Sequence, residues 1–129
     1  MPQLITKQII TENAVIGNGS FYELSGLSAS ILTGSGWILT TIGVPINQEQ
    51  ADFATVEIAL AVDGAIAPTD SSAYTKTTIG QWHCFKLNIS HAARLGAGQH
   101  ILKVYAKSSH TGPFIKGYSA HMIINELGY

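Results

Sequence analysis

Hydrophobic and polar residues alternate with a period of two along much of the chain, and β-branched or aromatic residues fill the alternating runs. Residues 55–62 show this most clearly, with four aliphatic side chains on the face that we expect in a core. The other face includes Ala59 and Ala61, which are small enough to lie against another sheet or another protomer. Asp63-Gly64 then predicts a type I′ hairpin turn, because both of its central residues need positive φ.

The same alternation, interrupted by glycine-rich turns, predicts strands along the whole chain, and only residues 91–95 suggest a helical turn. We expect Phe85 and its alternate neighbours to face the core, which leaves Trp82 outward. The predicted strands are residues 4–10, 20–24, 27–32, 37–44, 55–62, 72–78, 81–89, 99–107 and 114–126. Many short strands without helices predict one all-β domain over residues 1–129, a sandwich or barrel-like jelly roll.

Charged residues make up only 12% of the chain, against about 25% in typical soluble domains, while apolar residues reach 46%. Such a surface has large uncharged patches, so we expect the domain to associate with copies of itself. The net charge of -1 argues against nucleic acid and anionic membranes as partners. The start of the sequence lacks signal-peptide features, so we expect synthesis in the cytoplasm without membrane insertion, with release by a non-classical route left open.

The sequence gives weak support for catalysis or metal binding. Its histidines are scattered, whereas a metal site needs three or four converging ligands, so only a site on an oligomer axis is left open. No nucleophile–base spacing, carboxylate pair or phosphate-binding glycine loop is found, which predicts a protein that is not an enzyme and has no cofactor. Cys84, the single cysteine, is expected to be a reduced core thiol.

Residues 69–83 combine small hydroxyl side chains with the aromatic residues Tyr74 and Trp82. This mixture suits sugar binding, because a ring covers the C–H face of a pyranose while polar groups bond its hydroxyls. An exposed edge strand whose threonines favour β geometry explains the same composition. Residues 107–118 form a second polar segment, which suits either a binding loop or a solvated connection.

A series of positions spread over nearly the whole chain carries a family resemblance. They are Met1-Pro2, Leu4, Tyr22, Gly26-Leu27, Val44-Pro45, Phe53, Ile58-Ala59, Ala67, Ser72, Tyr74, Gly80, Lys107-Ser108, Ile115, Tyr118 and Gly128. In this series the chain resembles the tumour-necrosis-factor-like lectin domain at the N-terminus of certain bacterial superlectins that bind fucosylated glycans. The resemblance implies a jelly roll that assembles as a trimer, with three sugar sites at the boundaries between protomers.

The sugar contacts of that family come from two neighbouring protomers and map onto five positions here. One protomer supplies Tyr74 and Gln81, and its neighbour supplies Glu57, His110 and Lys116. Only the tyrosine is kept. Gln81 and His110 replace arginines and so lack the planar guanidinium fork, while Glu57 and Lys116 bring charges of opposite sign.

A shift of one or two residues in this alignment places Trp82 in the position of an arginine. The resemblance therefore implies a trimeric lectin with a glycan in the same groove, either fucosylated or, as the substitutions favour, of another kind that is charged or hydroxyl-rich. A trimerisation or tip domain of a fibre or phage-like assembly, without sugar binding, is the alternative.

Overall fold

The computed structural model describes residues 3–9, 14–15, 19–34, 36–48, 53–80, 84–109, 113–115 and 120–127. Within these residues the chain forms eleven strands and no helix. Accordingly, this part of the chain contains no helix long and apolar enough to cross a membrane. The strands are β1 (Gln3–Ile9), β2 (Ala14–Val15), β3 (Tyr22–Thr33), β4 (Trp37–Gln48), β5 (Ala54–Val62), β6 (Ala65–Ile66), β7 (Tyr74–Ile79), β8 (Cys84–Arg94), β9 (Gly98–Ser108), β10 (Pro113–Ile115) and β11 (His121–Glu126).

The long strands pair in nested antiparallel fashion: β1 with β11, β3 with β9, β4 with β8 and β5 with β7. The first sheet contains β1, β11, β4 and β8, extended by the short strands β10 and β2. The second sheet contains β3, β9, β5 and β7, and the short β6 also pairs with β5. This arrangement confirms the predicted all-β jelly-roll sandwich.

The core lies between the two sheets and is built from the inward faces that alternation predicts. Val56, Ile58 and Leu60 of β5 are at most 2% exposed. The turn that follows has φ values of 52° at Asp63 and 87° at Gly64, which confirms the predicted hairpin. Alternation therefore located the core face of this strand correctly, because a one-residue slip would turn every side chain to the wrong face.

The predicted strands 20–24 and 27–32 are parts of the single strand β3. The register against β9 shifts between Glu23 and Ser28, so extra residues form a bulge while the strand continues beyond it. The prediction of two separate strands was therefore wrong.

Strand β8 differs from expectation at both ends. The helical turn that residues 91–95 could form is not present, because His91 pairs with Thr40 in a ladder that β4 extends along all of β8. Cys84 was expected in the core but is exposed, since alternation turns it to the outer face. Phe85 has the inward parity, yet 48% of it is exposed at the start of the strand.

Strand β4 continues past its predicted end at residue 44 because β8 pairs with it as far as Asn47, while its partner on the other edge changes from β11 to β10. The ladder with β11 ends at Gly43, and the ladder with β10 begins at Ile46. Pro45 lies in the gap between them, where the absence of a proline N–H breaks no ladder bond with either strand. The strand predicted at 114–126 is accordingly two strands, β10 and β11, which follow one edge of β4 in turn.

Candidate functional site

The outer face of the second sheet places a carboxylate between two lysines. Glu57 lies on β5 between the buried residues Val56 and Ile58, so it faces outward. Its Cα partners are Lys76 on β7 and Lys107 on β9. Directly opposed residues of antiparallel strands share a face, so all three side chains emerge on the outer side of the sheet.

Tyr74 completes the binding of the Glu57 carboxylate. It lies opposite Ala59, two residues from Glu57, and a tyrosine reaches such a diagonal neighbour. The Tyr74 hydroxyl donates a hydrogen bond to Oε1 of Glu57. The other oxygen, Oε2, lies 3.3 Å from Nζ of Lys107. Both carboxylate oxygens therefore have a partner within the chain.

A second aromatic ring closes this group of side chains. Phe21, just before β3, meets Tyr74 edge to face, with ring centroids 6.2 Å apart and an interplanar angle of 86°. Nζ of Lys107 lies 4.6 Å from the Phe21 ring centroid, a cation–π distance. We call Phe21, Glu57, Tyr74 and Lys107 the Glu57–Tyr74 cluster.

The environment of the cluster fixes its protonation state. Burial raises the pKa of Glu57, but the hydrogen bonds from Tyr74 and Lys107, together with the positive charges of Lys107 and Lys76, lower it by more, so it lies below the ordinary value of 4.5. Burial, followed by the hydrogen bond to Glu57, raises the pKa of Tyr74 from 10.0 to about 12. At neutral pH Glu57 is therefore ionised, and Tyr74 keeps the proton that it donates.

The small residues of β5 are covered by their own sheet. Ala59 is opposite Tyr74 on one side and Tyr105 on the other, and it has no exposed surface. Ala61 is 1% exposed. The sequence predicted contact with another sheet or protomer at this face, whereas large side chains of the flanking strands lie beside these alanines within one chain. The alanines leave room for the two tyrosine rings above β5.

Hydroxyl groups continue this face beyond the cluster. Thr55 and Thr78 are Cα partners, and their Oγ1 atoms are 3.3 Å apart. The Thr55 amide donates to Oγ of Ser109 over 2.9 Å. Thr55 and Thr78 are each two residues from Glu57 and Lys76, so they share the same outer face.

The structure brings together two of the six predicted sugar-contact residues, Glu57 and Tyr74. The resemblance assigns them to different protomers, and here they contact each other within one chain. The other four lie outside the described residues: Gln81, Trp82, His110 and Lys116.

Neither Phe21 nor Lys107 is among the site residues that the sequence predicts. Alternation in the predicted strand 99–107 placed Lys107 on the outward face, but the pairing register that sets it opposite Glu57 was unknown. Phe21 precedes its strand, so no periodic pattern marked it.

The described residues also contain one serine–histidine contact. Oγ of Ser72 lies 2.7 Å from Nδ1 of His91. A nucleophilic serine needs a base that a third group orients, and the hydrogen bonds of the described residues give His91 no such group. In the same part of the chain, no three histidine, cysteine or acidic side chains form a group able to hold a metal.

His100 connects two turns of the chain, at Asp63 and at Gly96, which lie away from the Glu57–Tyr74 cluster. Its Nδ1 lies 2.7 Å from Oδ2 of Asp63, and its Nε2 lies 2.7 Å from the carbonyl oxygen of Gly96. Oδ1 of Asp63 accepts a 2.8 Å hydrogen bond from the amide of Ile101. A carbonyl and a carboxylate only accept, so this geometry is complete when His100 is an imidazolium. The hydrogen bond to Asp63 correspondingly raises the pKa of His100.

No protein-family model and no curated protein matches this sequence. Similar solved structures include dimeric latent PorU from Porphyromonas gingivalis, with a TM-score of 0.54 and 11% identity over 97% of this chain. Another is a chain of the T13 IBDV viral particle, with a TM-score of 0.60 and 8% identity over 96% of this chain. The matched regions make up 12% and 31% of those chains. At such identities the likeness shows the fold alone, which is the all-β sandwich described above.

Proposed function

We propose that the protein is a lectin that binds a glycan at the Glu57–Tyr74 cluster. The observation that carries this proposal is the hydrogen bond from Tyr74 to Glu57, on an outer face where both side chains are only partly buried. An aromatic ring beside fixed polar groups suits a sugar, because the ring covers C–H groups while carboxylate and hydroxyl oxygens accept from sugar hydroxyls. Thr55 and Thr78 add such hydroxyls next to the cluster.

The resemblance to tumour-necrosis-factor-like bacterial lectins supports the same function and adds an assembly. We propose a homotrimer whose sites are completed at the protomer boundaries, with a fucosylated or other glycan as ligand. Each site alone binds weakly, and three sites on a multivalent surface gain roughly 10²–10⁴ in avidity.

The outer face of the first sheet supports self-association. Its outward positions on the two central strands β4 and β11 include no aspartate, glutamate, lysine or arginine, whereas Lys86 and Arg94 share this face on the neighbouring strand β8. The uncharged strip along β4 and β11 favours burial against a copy. These positions are Trp37, Leu39, Thr41, Gly43, Pro45, Asn47, His121, Ile123 and Asn125. The same face favours the second candidate function, a structural trimerisation or tip domain that binds no sugar.

A glycan array tests the lectin proposal. We expect the wild type to bind and Tyr74→Ala to lose binding, since it removes both the ring and the hydroxyl. Tyr22→Ala is the matched control: Tyr22 is 52% exposed, but its Cα partner Ala106 belongs to the buried face of β9. Its side chain therefore lies on the other side of the sheet, and binding should persist.

Circular dichroism of each variant establishes that it is folded. Equal binding by the wild type and Tyr74→Ala would place the site elsewhere. A wild-type trimer that binds no glycan would favour the structural function instead.

Light scattering or native mass spectrometry tests the assembly. We expect a wild-type trimer that Ile123→Lys disrupts, because the new charge lies in the uncharged strip that β4 and β11 form on the first sheet. Ile101→Lys is the control, since Ile101 is 47% exposed and lies on β9 six residues, or roughly 20 Å, from Lys107 and so away from the Glu57–Tyr74 cluster. A wild type that stays monomeric at micromolar concentration contradicts the trimer.

A further inference from the structure

The outer face of the second sheet has an unequal number of positive and negative side chains. In the described strands it carries two glutamates and three lysines: Glu23, Glu57, Lys76, Lys103 and Lys107. Nζ of Lys103 lies 2.8 Å from Oε1 of Glu23, and Lys107 is paired with Glu57 at 3.3 Å. Two of the three lysines are therefore neutralised by carboxylates of their own sheet.

Lys76 is the lysine without such a pair. It is exposed, and no carboxylate of the described residues lies within the 4.0 Å of an ion pair. It stands opposite Glu57, but the two carboxylate oxygens of Glu57 are bonded by Tyr74 and Lys107. Lys76 attracts the Glu57 carboxylate at longer range and helps to lower its pKa, but it makes no ion pair with it, so its ammonium group is open to a ligand.

The position of Lys76 puts this ammonium group inside the candidate site. Tyr74, Lys76 and Thr78 alternate along β7 on one face, so Lys76 lies about 7 Å along the strand from the tyrosine and from the threonine. A sugar ring against Tyr74 is therefore within reach of the lysine side chain. An anionic group on the ligand would therefore neutralise the unpaired charge of Lys76.

We infer that the glycan bound at the Glu57–Tyr74 cluster carries a negatively charged group, a carboxylate or a sulfate ester, and that Lys76 binds it. This inference rests on the proposed lectin function and specifies its ligand class. An ammonium on a flexible stem is a point charge without a planar fork, so it accepts either kind of anion. Each Glu57 oxygen has one partner and keeps a further lone pair, so Glu57 and the threonine hydroxyls can still accept from the neutral hydroxyls of the same sugar.

The test uses an array of sialylated, uronic-acid-containing and sulfated glycans beside their neutral parent glycans, followed by titration of the best matched pairs. We expect the acidic member of a pair to bind roughly two- to fivefold more tightly, as for an exposed ion pair. This preference should shrink as salt is raised from about 0.1 M to about 1 M, where the Debye length falls to about 3 Å. The carboxylated and sulfated arms show which anion is preferred.

Lys76→Gln should abolish the preference, so that the acidic and neutral members of each pair bind with equal affinity. Lys86→Gln is the control, because it removes the same charge from an exposed lysine on the first sheet and should keep the preference. Neutral glycans that bind as tightly as their acidic counterparts, or a preference that survives in Lys76→Gln, overturn this inference and leave the lectin proposal standing. An array with no bound glycan overturns both.

Discussion

The hydrogen bond between Tyr74 and Glu57 is expected to stabilise the fold by a measurable amount. Tyr74→Phe removes only the hydroxyl, and Glu57→Gln removes only the charge. A hydrogen bond to a charged group contributes about 1.5–3 kcal/mol, and we expect the lower end because 18% of the Glu57 side chain is exposed to solvent. The ion pair with Lys107, whose side chain is 29% exposed, contributes at most about 1 kcal/mol and survives in Tyr74→Phe.

A double-mutant cycle measures this coupling. The four proteins are unfolded in urea at pH 7 and at one fixed protomer concentration, because association makes apparent stability depend on concentration. The glutamine amide still accepts a neutral hydrogen bond from Tyr74, so the cycle measures the difference between a charged and a neutral bond, and we expect a coupling free energy of about 1 kcal/mol. Each single variant should lower Tm by about 4–6 °C.

The pH dependence of the cycle provides an independent check. The pKa of Glu57 is lower in the folded protein than its ordinary 4.5. Its stabilising contribution is therefore present above pH 4.5 and is lost as the pH falls through the folded pKa. The cost of Glu57→Gln should shrink in that acid range.

Tyr105→Phe is the control for the cycle. Tyr105 lies on the same face, opposite Ala59, but its hydroxyl makes no hydrogen bond among the described residues. It should cost under about 0.5 kcal/mol and should not couple to Glu57→Gln. A coupling below about 0.5 kcal/mol between Tyr74 and Glu57, or one that persists unchanged in acid, would refute the geometry of the cluster.

Three further predictions concern titration and packing. In an alkaline titration followed by phenolate absorbance, Tyr74→Phe should remove a group that ionises near pH 12, and loss of a group that ionises near 10.0 would contradict this. The pKa of His100 is raised above its ordinary value of 6.5 by its bond to Asp63. This bond therefore stabilises the folded protein fully below pH 6.5, and the stabilisation is lost as the pH rises through the folded pKa. His100→Gln should therefore cost more at about pH 5.5 than at about pH 9 in urea unfolding, and equal costs would exclude this role. Gly43→Ala should destabilise by about 1–3 kcal/mol, since its Cβ would lie 2.5 Å from Cε1 of His121, and an unchanged Tm would show that the histidine moves aside freely.

Alternation predicted the faces of the strands because burial between two sheets requires one apolar side per strand. In residues 55–62 and 99–107 the inward set was correct, with Leu102 and Val104 as buried as Val56. The turn at Asp63-Gly64 was equally readable, because few residue pairs accept positive φ twice in succession.

The alternating pattern carries no information about strand register, and the cluster depends on that register. Whether Glu57 faces Lys107 or a residue two positions away is decided by which strands become neighbours and by how far each is shifted. Tyr74 was found through its resemblance to a sugar contact and through its aromatic character. Lys107 and Phe21 became recognisable only once three strands were placed side by side.

Local propensity also failed where a neighbouring strand offered a long ladder. The alanines at 92–93 favour a helical turn, but the backbone of β4 provides hydrogen-bond partners as far as Arg94. Cys84 illustrates a different limit, because the tendency of cysteine to be buried is weaker than the alternation that turns this residue outward.

Whether a glycan binds at the Glu57–Tyr74 cluster is tested most directly by a two-dimensional NMR titration of the wild-type protein with the glycan that binds best on the array. We expect the largest chemical-shift changes at Glu57, Tyr74 and Lys107, on the outer face of the second sheet. Changes confined to the first sheet, or no change at saturating sugar, would contradict this expectation.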